Sequence, residues 1–88
     1  MPHSWTRSDD LAAFYVSKFG VAHLPYSIGE IATSKGIKVS SFKMRIQNFY
    51  ALAGKGGLEN YAKQSKDIYE DYKDLSERAL RQIAFPEL

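Results

Sequence analysis

The chain has 88 residues, of which 44% are hydrophobic and 25% are charged, a composition that is usual for one small globular domain. It has no cysteine, which excludes disulfide bonds, thiolate metal sites and a cysteine nucleophile, and which agrees with a reducing compartment. The sequence contains neither an apolar run of about 18 residues nor a signal-peptide pattern. We therefore expect a cytoplasmic protein that does not enter a membrane.

The formal charge of +2 conceals an uneven distribution of charged residues along the chain. Residues 35–55 contain five cations and no acid. Residues 59–77 contain six acids and three lysines, which gives a local balance of −3. The middle of the chain is therefore predicted to form a cationic surface, and the later part an acidic one.

The first predicted helix runs from about Arg7 to Phe19. Thr6 lies three residues before Asp9, a spacing close to that of a capping box, and Gly20 follows as the residue that ends the helix. The apolar side chains within this range recur at helical spacing. They are Leu11, Phe14, Tyr15 and Phe19.

Two further helices are predicted in the first half of the chain. Ser27 and Glu30 have capping-box spacing and begin a short second helix, which ends at Gly36. A third helix is predicted over residues 39–53, and the glycines of residues 54–57 stop it. Its main apolar side chains lie on one arc of about 100°, the face expected to pack on the first two helices. They are Val39, Phe42, Ile46, Phe49, Tyr50 and Ala53.

Residues 58–85 are predicted to add one long helix or two shorter ones, because Asp74 and Glu77 also have capping-box spacing. The apolar residues that follow one helix face are Ile68, Tyr72, Leu75, Ala79 and Ile83. No segment alternates convincingly with a period of two residues. We therefore predict an all-α fold in one domain, with a helix-turn-helix-like tri-helical core (1–53) and a C-terminal helix or helix pair (58–85).

The second and third predicted helices have the outline of a helix-turn-helix: a short capped helix, a glycine turn, a plug at Ile37 and a longer basic helix. This outline favours a non-enzymatic module that binds duplex DNA, although a purely structural three-helix core has the same outline. Lysine and arginine neutralise phosphates, whereas Ser40 and Gln47 can hydrogen-bond to base edges. The residues expected to meet DNA are Lys38, Ser40, Ser41, Lys43, Arg45, Gln47 and Lys55.

Met44 lies nearly opposite Phe42 on the third helix, outside the main apolar arc. Either Met44 touches base edges or thymine methyl groups, or the C-terminal helix packs on it. The second arrangement is favoured, because the apolar face of the C-terminal helix needs a partner.

The sequence offers no convincing catalytic, metal or cofactor site. The acids of the C-terminal segment alternate with lysines, which favours helix ion pairs over a cation site. A competing interpretation is a protein-interaction or inhibitor module that acts on a nuclease or other defence enzyme through this acidic helix. A homodimer is also considered, because a single small DNA-binding module has little DNA-facing area.

Three stretches of the chain, in this order, are SWTRSDDLAAFYV, IGEIATSKGIKVSSFKMRIQNFYAL and GKGGLENYAKQSKDIYEDY. They resemble the N-terminal helical region that precedes the nuclease domain in a group of bacterial HNH endonucleases of restriction type. The likeness covers nearly the whole chain, and the first three helices also resemble the Myb/SANT type of DNA-binding tri-helix.

The resemblance implies a DNA-contacting module, with Phe49 in the core and Asn48 as a hydrogen-bonding residue between helices. The residues that it places in the helix approaching the duplex are Ser40, Ser41, Lys43 and Arg45. The sequence has no HNH segment, so the nuclease activity of the longer relatives is not expected. The expectations that remain are a small regulator, a protein of a phage or mobile element, or an excised domain.

Overall fold

The computed structural model describes residues 4–54 and 62–88, and these residues form five α-helices and no β-strand. The prediction of an all-α fold is therefore confirmed. In this part of the chain, no helix has both the length and the apolar character needed to cross a membrane. The helices are α1 (Arg7–Phe19), α2 (Ile28–Ser34), α3 (Val39–Leu52), α4 (Lys63–Tyr72) and α5 (Glu77–Ala84).

The first two helices begin at the capping boxes that the sequence predicts. The Thr6 hydroxyl accepts a hydrogen bond from the amide of Asp9 at 3.1 Å, and the Asp9 carboxylate accepts one from the amide of Thr6 at 3.1 Å. Ser27 and Glu30 form the same pair of bonds, at 3.1 and 3.0 Å. Each box satisfies amide groups at or next to the first turn of the helix, so nearby residues are enough to fix both starts.

The connection between α2 and α3 turns at Gly36. Its φ of 70° lies in the left-handed region, which side chains with a Cβ rarely adopt, and this explains the glycine. The amide of Ile37 donates to the carbonyl oxygen of Ala32 at 2.9 Å, and the Ile37 side chain is buried. Ile37 is thus buried directly after the turn, and α3 packs on both α1 and α2.

α1 lies at the centre of the fold. Every residue from Asp9 to Val16 is buried, so this helix has no solvent-facing side over more than two turns. A helix of this kind needs neighbours all round, and α3, α4 and α5 all pack on it. The rings of Phe14 and Phe49 mark the contact with α3, with centroids 5.2 Å apart. The same packing also buries the carboxylates of Asp9 and Asp10 near the start of α1.

The fully buried carboxylate of Asp10 joins α1 to α3 and α4. Its Oδ1 accepts hydrogen bonds from Arg45 Nε at 2.6 Å and Ser65 Oγ at 3.0 Å. Its Oδ2 accepts from Arg45 Nη2 at 2.8 Å and Gln64 Nε2 at 2.6 Å. A buried charge is tolerated when it is paired and fully hydrogen-bonded, so α3 and α4 must present these donors to α1. We call these four side chains the Asp10 network.

The indole ring of Trp5 covers the Asp10 network. The Arg45 guanidinium carbon lies 4.4 Å from the centroid of the Trp5 ring, and the ring also stacks on Phe42 with centroids 6.3 Å apart. A cation over an aromatic face is attracted by the ring electrons. This contact, together with the bonds to Asp10, leaves the Arg45 side chain 13% exposed.

The C-terminal segment contains two helices, which answers the question that the sequence leaves open. Helix α4 ends at Tyr72, and α5 begins after Ser76. The Ser76 hydroxyl accepts a hydrogen bond from the amide of Ala79 at 3.2 Å. Ser76 is therefore the N-cap of α5, rather than Asp74. The Lys18 ammonium of α1 donates to carbonyl oxygens in the break.

The break changes the helical phase, so the predicted continuous apolar face is wrong for α5. Ile68 in α4 is buried as predicted, but Ile83 in α5 is 42% exposed. Leu80 and Ala84 occupy the core in its place. One helical wheel across residues 58–85 fails because the non-helical residues between α4 and α5 rotate the second helix about its axis.

A second polar link fastens α5 to α1. The Tyr15 hydroxyl donates to Glu77 Oε2 at 2.6 Å, and Arg81 Nε donates to the same oxygen at 2.7 Å. Burial, followed by the neighbouring Glu77 carboxylate, raises the pKa of Tyr15 to about 12. The hydrogen bond from Tyr15, with a further contribution from Arg81, lowers the pKa of Glu77.

We expect Asp10→Asn to lower the free energy of unfolding by about 3–5 kcal/mol, because the Arg45 charge then stays buried without a counter-charge. Urea unfolding followed by the fluorescence of Trp5, the single tryptophan, measures this change. The matched control is Asp67→Asn, which breaks an exposed ion pair with Lys63 and should change the value by less than about 0.5 kcal/mol. Equal losses in the two variants would contradict the role given to Asp10.

The pH dependence of stability tests the link through Glu77. Because its folded-state pKa lies below the ordinary 4.5, its carboxylate stabilises the fold above pH 4.5, and this contribution is lost as the pH falls through the lowered value. Glu77→Gln should therefore be less stable than the unchanged protein at neutral pH and approach it in acid. Thermal unfolding over a pH series measures the difference, with Glu70→Gln on the exposed side of α4 as the control. A difference that stays constant down to acid pH would count against the link.

Candidate nucleic-acid interface

One side of α3 points away from the rest of the fold. Phe42, Ile46 and Phe49 are buried and form the inner side of the helix. Four exposed side chains with the spacing i, i+3, i+4 and i+7 form the opposite side. They are Ser40, Lys43, Met44 and Gln47, which we call the α3 outer face.

The prediction that the C-terminal helix covers Met44 is wrong, because Met44 is 67% exposed. α4 packs on the other side of α3, where Gln64 and Ser65 meet Asp10 beside Arg45. The hydrogen bonds from Gln64 and Ser65 to Asp10 thus fix the position of α4, and its apolar residues pack in that position. Met44 is left exposed on the α3 outer face.

The α3 outer face is cationic and has no acid near it in the sequence. Residues 31–54 contain no Asp or Glu. Lys43 on the face and Lys38 at the N-cap of α3 are both exposed. The start of α3 has no hydrogen bond from a capping side chain and no acid in its first turn. The partial positive charge at a helix N-terminus therefore adds to the two lysines.

Arg45 does not share this exposed surface, although the sequence predicts it as a DNA-facing residue. Both Nε and Nη2 of its guanidinium donate to Asp10. Lys35, another cation of the acid-free stretch, lies with Nζ 3.9 Å from Asp9 Oδ1. Two acids of α1 therefore neutralise two of the cations that the sequence assigns to the basic surface.

Some of the other residues predicted from the sequence lie beside the α3 outer face, and one lies outside the described residues. Ser41 is half-buried beside the α3 outer face, and Asn48 is also half-buried. Lys55 lies outside the described residues. From the predicted set, Ser40, Lys43 and Gln47 thus lie on the α3 outer face together with Met44, and Lys38 is exposed at the start of the helix.

Two acids of α4 form ion pairs with lysines three or four residues away, as the alternation of charges predicts. Lys63 Nζ lies 3.1 Å from Asp67 Oδ2, and Lys73 Nζ lies 3.5 Å from Glu70 Oε2. Within residues 4–54 and 62–88, no group of three or more His, Cys, Asp or Glu residues is placed to hold a metal ion.

A cleft of about 380 Å³ lies between α2 and the C-terminal residues, and no residue of the α3 outer face lines it. Its polar residues include Glu30, Lys35 and Glu87. The Tyr26 hydroxyl donates to Glu87 Oε2 at 3.3 Å across its edge. Burial, followed by the Glu87 carboxylate, raises the pKa of Tyr26. The cleft is thus separate from the α3 outer face.

The buried role of Asp10 is not predicted from the sequence, because Asp10 occupies the position of an ordinary acidic residue in the first turn of a helix. The signal that could have found it is the unbroken apolar run of residues 11–16 directly after it. Such a run predicts a helix that is buried on every side, and an acid within it must then find donors on other helices. Arg45, Gln64 and Ser65 are those donors.

Comparison of the chain with protein-family models, curated proteins and solved structures finds no match of any of the three kinds. The resemblance to the helical region of HNH endonucleases therefore stays a prediction.

Stability measurements distinguish the two sides of α3. Met44→Ala should change the free energy of unfolding by less than about 0.5 kcal/mol, because its side chain lies in solvent. Phe42→Ala removes a fully buried ring and should lower it by about 3–5 kcal/mol. Urea titrations of both variants provide the measurement. A large loss for Met44→Ala would mean that another part of the protein covers the α3 outer face.

Proposed function

We propose that this protein is a non-enzymatic DNA-binding module in which α3 approaches duplex DNA. In this proposal α2, the turn at Gly36 and α3 act as a helix-turn-helix, and α3 enters the major groove. The observation that carries the proposal is the α3 outer face, an exposed row of cationic, polar and apolar side chains in a stretch without acids.

The dimensions of α3 suit the major groove. Its 14 residues make a helix about 21 Å long at about 1.5 Å per residue. The groove of B-DNA is about 12 Å wide and admits one α-helix. Because the side chains of the α3 outer face are exposed, the groove can approach them without displacing another helix.

The residues of this surface have different roles in the proposal. Lys38 and Lys43 neutralise phosphates, which position the protein without reading sequence. Ser40 and Gln47 hydrogen-bond to base edges. Arg45 is given a positioning role, because its bonds to Asp10 hold α3 in the orientation that presents the outer face.

Two exposed lysines give modest electrostatic attraction, because the salt slope grows by about 0.9 for each phosphate neutralised. A single small DNA-binding module binds duplex DNA weakly, so a homodimer or attachment to a further domain would strengthen its binding. In this proposal the protein acts as a small regulator or as a protein of a phage or mobile element.

The alternative function is a protein-interaction or inhibitor module that binds a nuclease or other defence enzyme through α4 and the residues after it. The exposed acids that support it are Asp67, Glu70, Asp71 and Asp74. Lys63 and Lys73 pair with two of these acids, which weakens the negative potential that a partner would meet. No acid lies in residues 31–54, so the DNA-binding proposal is favoured.

A fluorescence anisotropy titration on duplex DNA at several salt concentrations tests the proposal. The double variant Lys38→Ala/Lys43→Ala should bind more weakly and lower the slope of log K against log salt by about 2, because two phosphate contacts are lost. Both lysines are exposed, so circular dichroism should be unchanged.

The matched control is Lys63→Ala/Lys66→Ala, which removes the same charge from the exposed surface of α4. It should leave the salt slope close to that of the unchanged protein. Failure to bind duplex DNA at low salt would overturn the proposal. Capture of a protein partner that is lost on charge reversal at Glu70 and Asp71 would then favour the alternative.

A further inference from the structure

The α3 outer face combines side chains that suit one type of base pair. Met44 is 67% exposed between polar neighbours, which is an unusual position for a long apolar side chain in a described helix. Gln47 lies one turn further along the same side and is also exposed. These two residues therefore face the same part of any duplex that meets α3.

The chemistry of both side chains points to A·T pairs. A glutamine amide can donate and accept at once, which matches N7 and the N6 amino group of adenine in the major groove. Thymine presents a methyl group in the same groove, and apolar side chains pack on it. The flexible thioether chain of methionine can adapt to such a surface.

The side chains that would read G·C pairs are absent or otherwise engaged on this face. Guanine is read by arginine or lysine, and Arg45, the arginine of α3, is held by Asp10. Cytosine is read by Asp or Glu, and residues 31–54 contain neither. Lys43, the lysine of this face, contacts a phosphate in the proposed function, so Gln47 and Met44 are left for the base edges.

The spacing along α3 agrees with neighbouring base pairs. Met44 and Gln47 are three residues apart, or about 4.5 Å along the helix axis at about 1.5 Å per residue. One base-pair step rises about 3.4 Å. The distance from Ser40 to Gln47 is about 10.5 Å, the rise of about three base-pair steps, and α3 spans fewer where its axis is inclined to the DNA axis.

We propose that the α3 outer face reads A·T pairs in the major groove, with Gln47 on adenine and Met44 on the methyl group of thymine. This inference rests on the proposed DNA-binding function and adds the class of base pair that is read. It gives Met44 a role as a specificity-determining residue, and Arg45 acts indirectly by orienting α3.

The experiment uses the whole chain and duplexes of equal length, measured by anisotropy at one low salt concentration. One duplex alternates A and T, which avoids the narrow minor groove of A-tracts, and a second contains G·C pairs alone. In two further A·T duplexes, deoxyuridine replaces thymidine, which removes the methyl group, or 7-deazaadenine replaces adenine, which removes N7. Watson–Crick pairing is retained in both.

We expect about 10-fold tighter binding to the A·T duplex than to the G·C duplex. Loss of the thymine methyl group should weaken binding about three-fold for the unchanged protein and have no further effect on Met44→Ala. Loss of N7 should weaken binding for the unchanged protein and have no further effect on Gln47→Ala. Lys66→Ala, on the exposed surface of α4, should respond to every duplex as the unchanged protein does.

The possible outcomes distinguish a failure of the A·T inference from a failure of the proposed DNA-binding function. Equal binding to the A·T and G·C duplexes would overturn the inference and leave the DNA-binding function standing. An A·T preference that is insensitive to both the methyl group and N7 would also overturn it, because the readout would then lie in the minor groove or in DNA shape. No binding to any duplex would overturn both proposals.

Discussion

Both oxygens of a buried carboxylate need hydrogen-bond donors, and in this protein that requirement fixes the arrangement of α1, α3 and α4. Asp10 lies within the central helix, where water cannot solvate it. Its oxygens accept from Arg45 on α3 and from Gln64 and Ser65 on α4. Apolar contacts alone would allow either helix to rotate or slide to some degree, whereas this set of donors fits one arrangement.

The outward face of α3 is a consequence of that constraint. Arg45 must point toward α1, and a rotation of α3 by one residue would carry the guanidinium away from Asp10 by about 100°. With Arg45 fixed, Met44 must project into solvent beside Ser40 and Gln47. A residue that the sequence marks as a DNA contact thus serves the candidate interface indirectly, by holding the helix that carries it.

The same constraint alters the charge of the candidate interface. The acid-free stretch of the sequence suggests a strongly basic surface, but Asp9 and Asp10 neutralise Lys35 and Arg45 within the fold. Lys38 and Lys43 remain as exposed cations next to uncharged side chains. If the proposed function holds, such a surface would gain less affinity from phosphates and depend more on contacts with base edges.

The sequence by itself determined the fold class, the starts of α1 and α2, the turn at Gly36 and the burial of Phe42, Ile46 and Phe49 in α3. These features depend on caps, glycine conformations and apolar periodicity, which involve residues within about one or two turns of each other.

The tertiary structure alone decided the burial of Asp10, the position of Arg45, the exposure of Met44 and the phase of α5. Asp10 is separated from Arg45 by 35 residues and from Ser65 by 55, so no local pattern relates them. Their pairing follows from the packing of whole helices around α1, since only then do a buried acid and its donors meet.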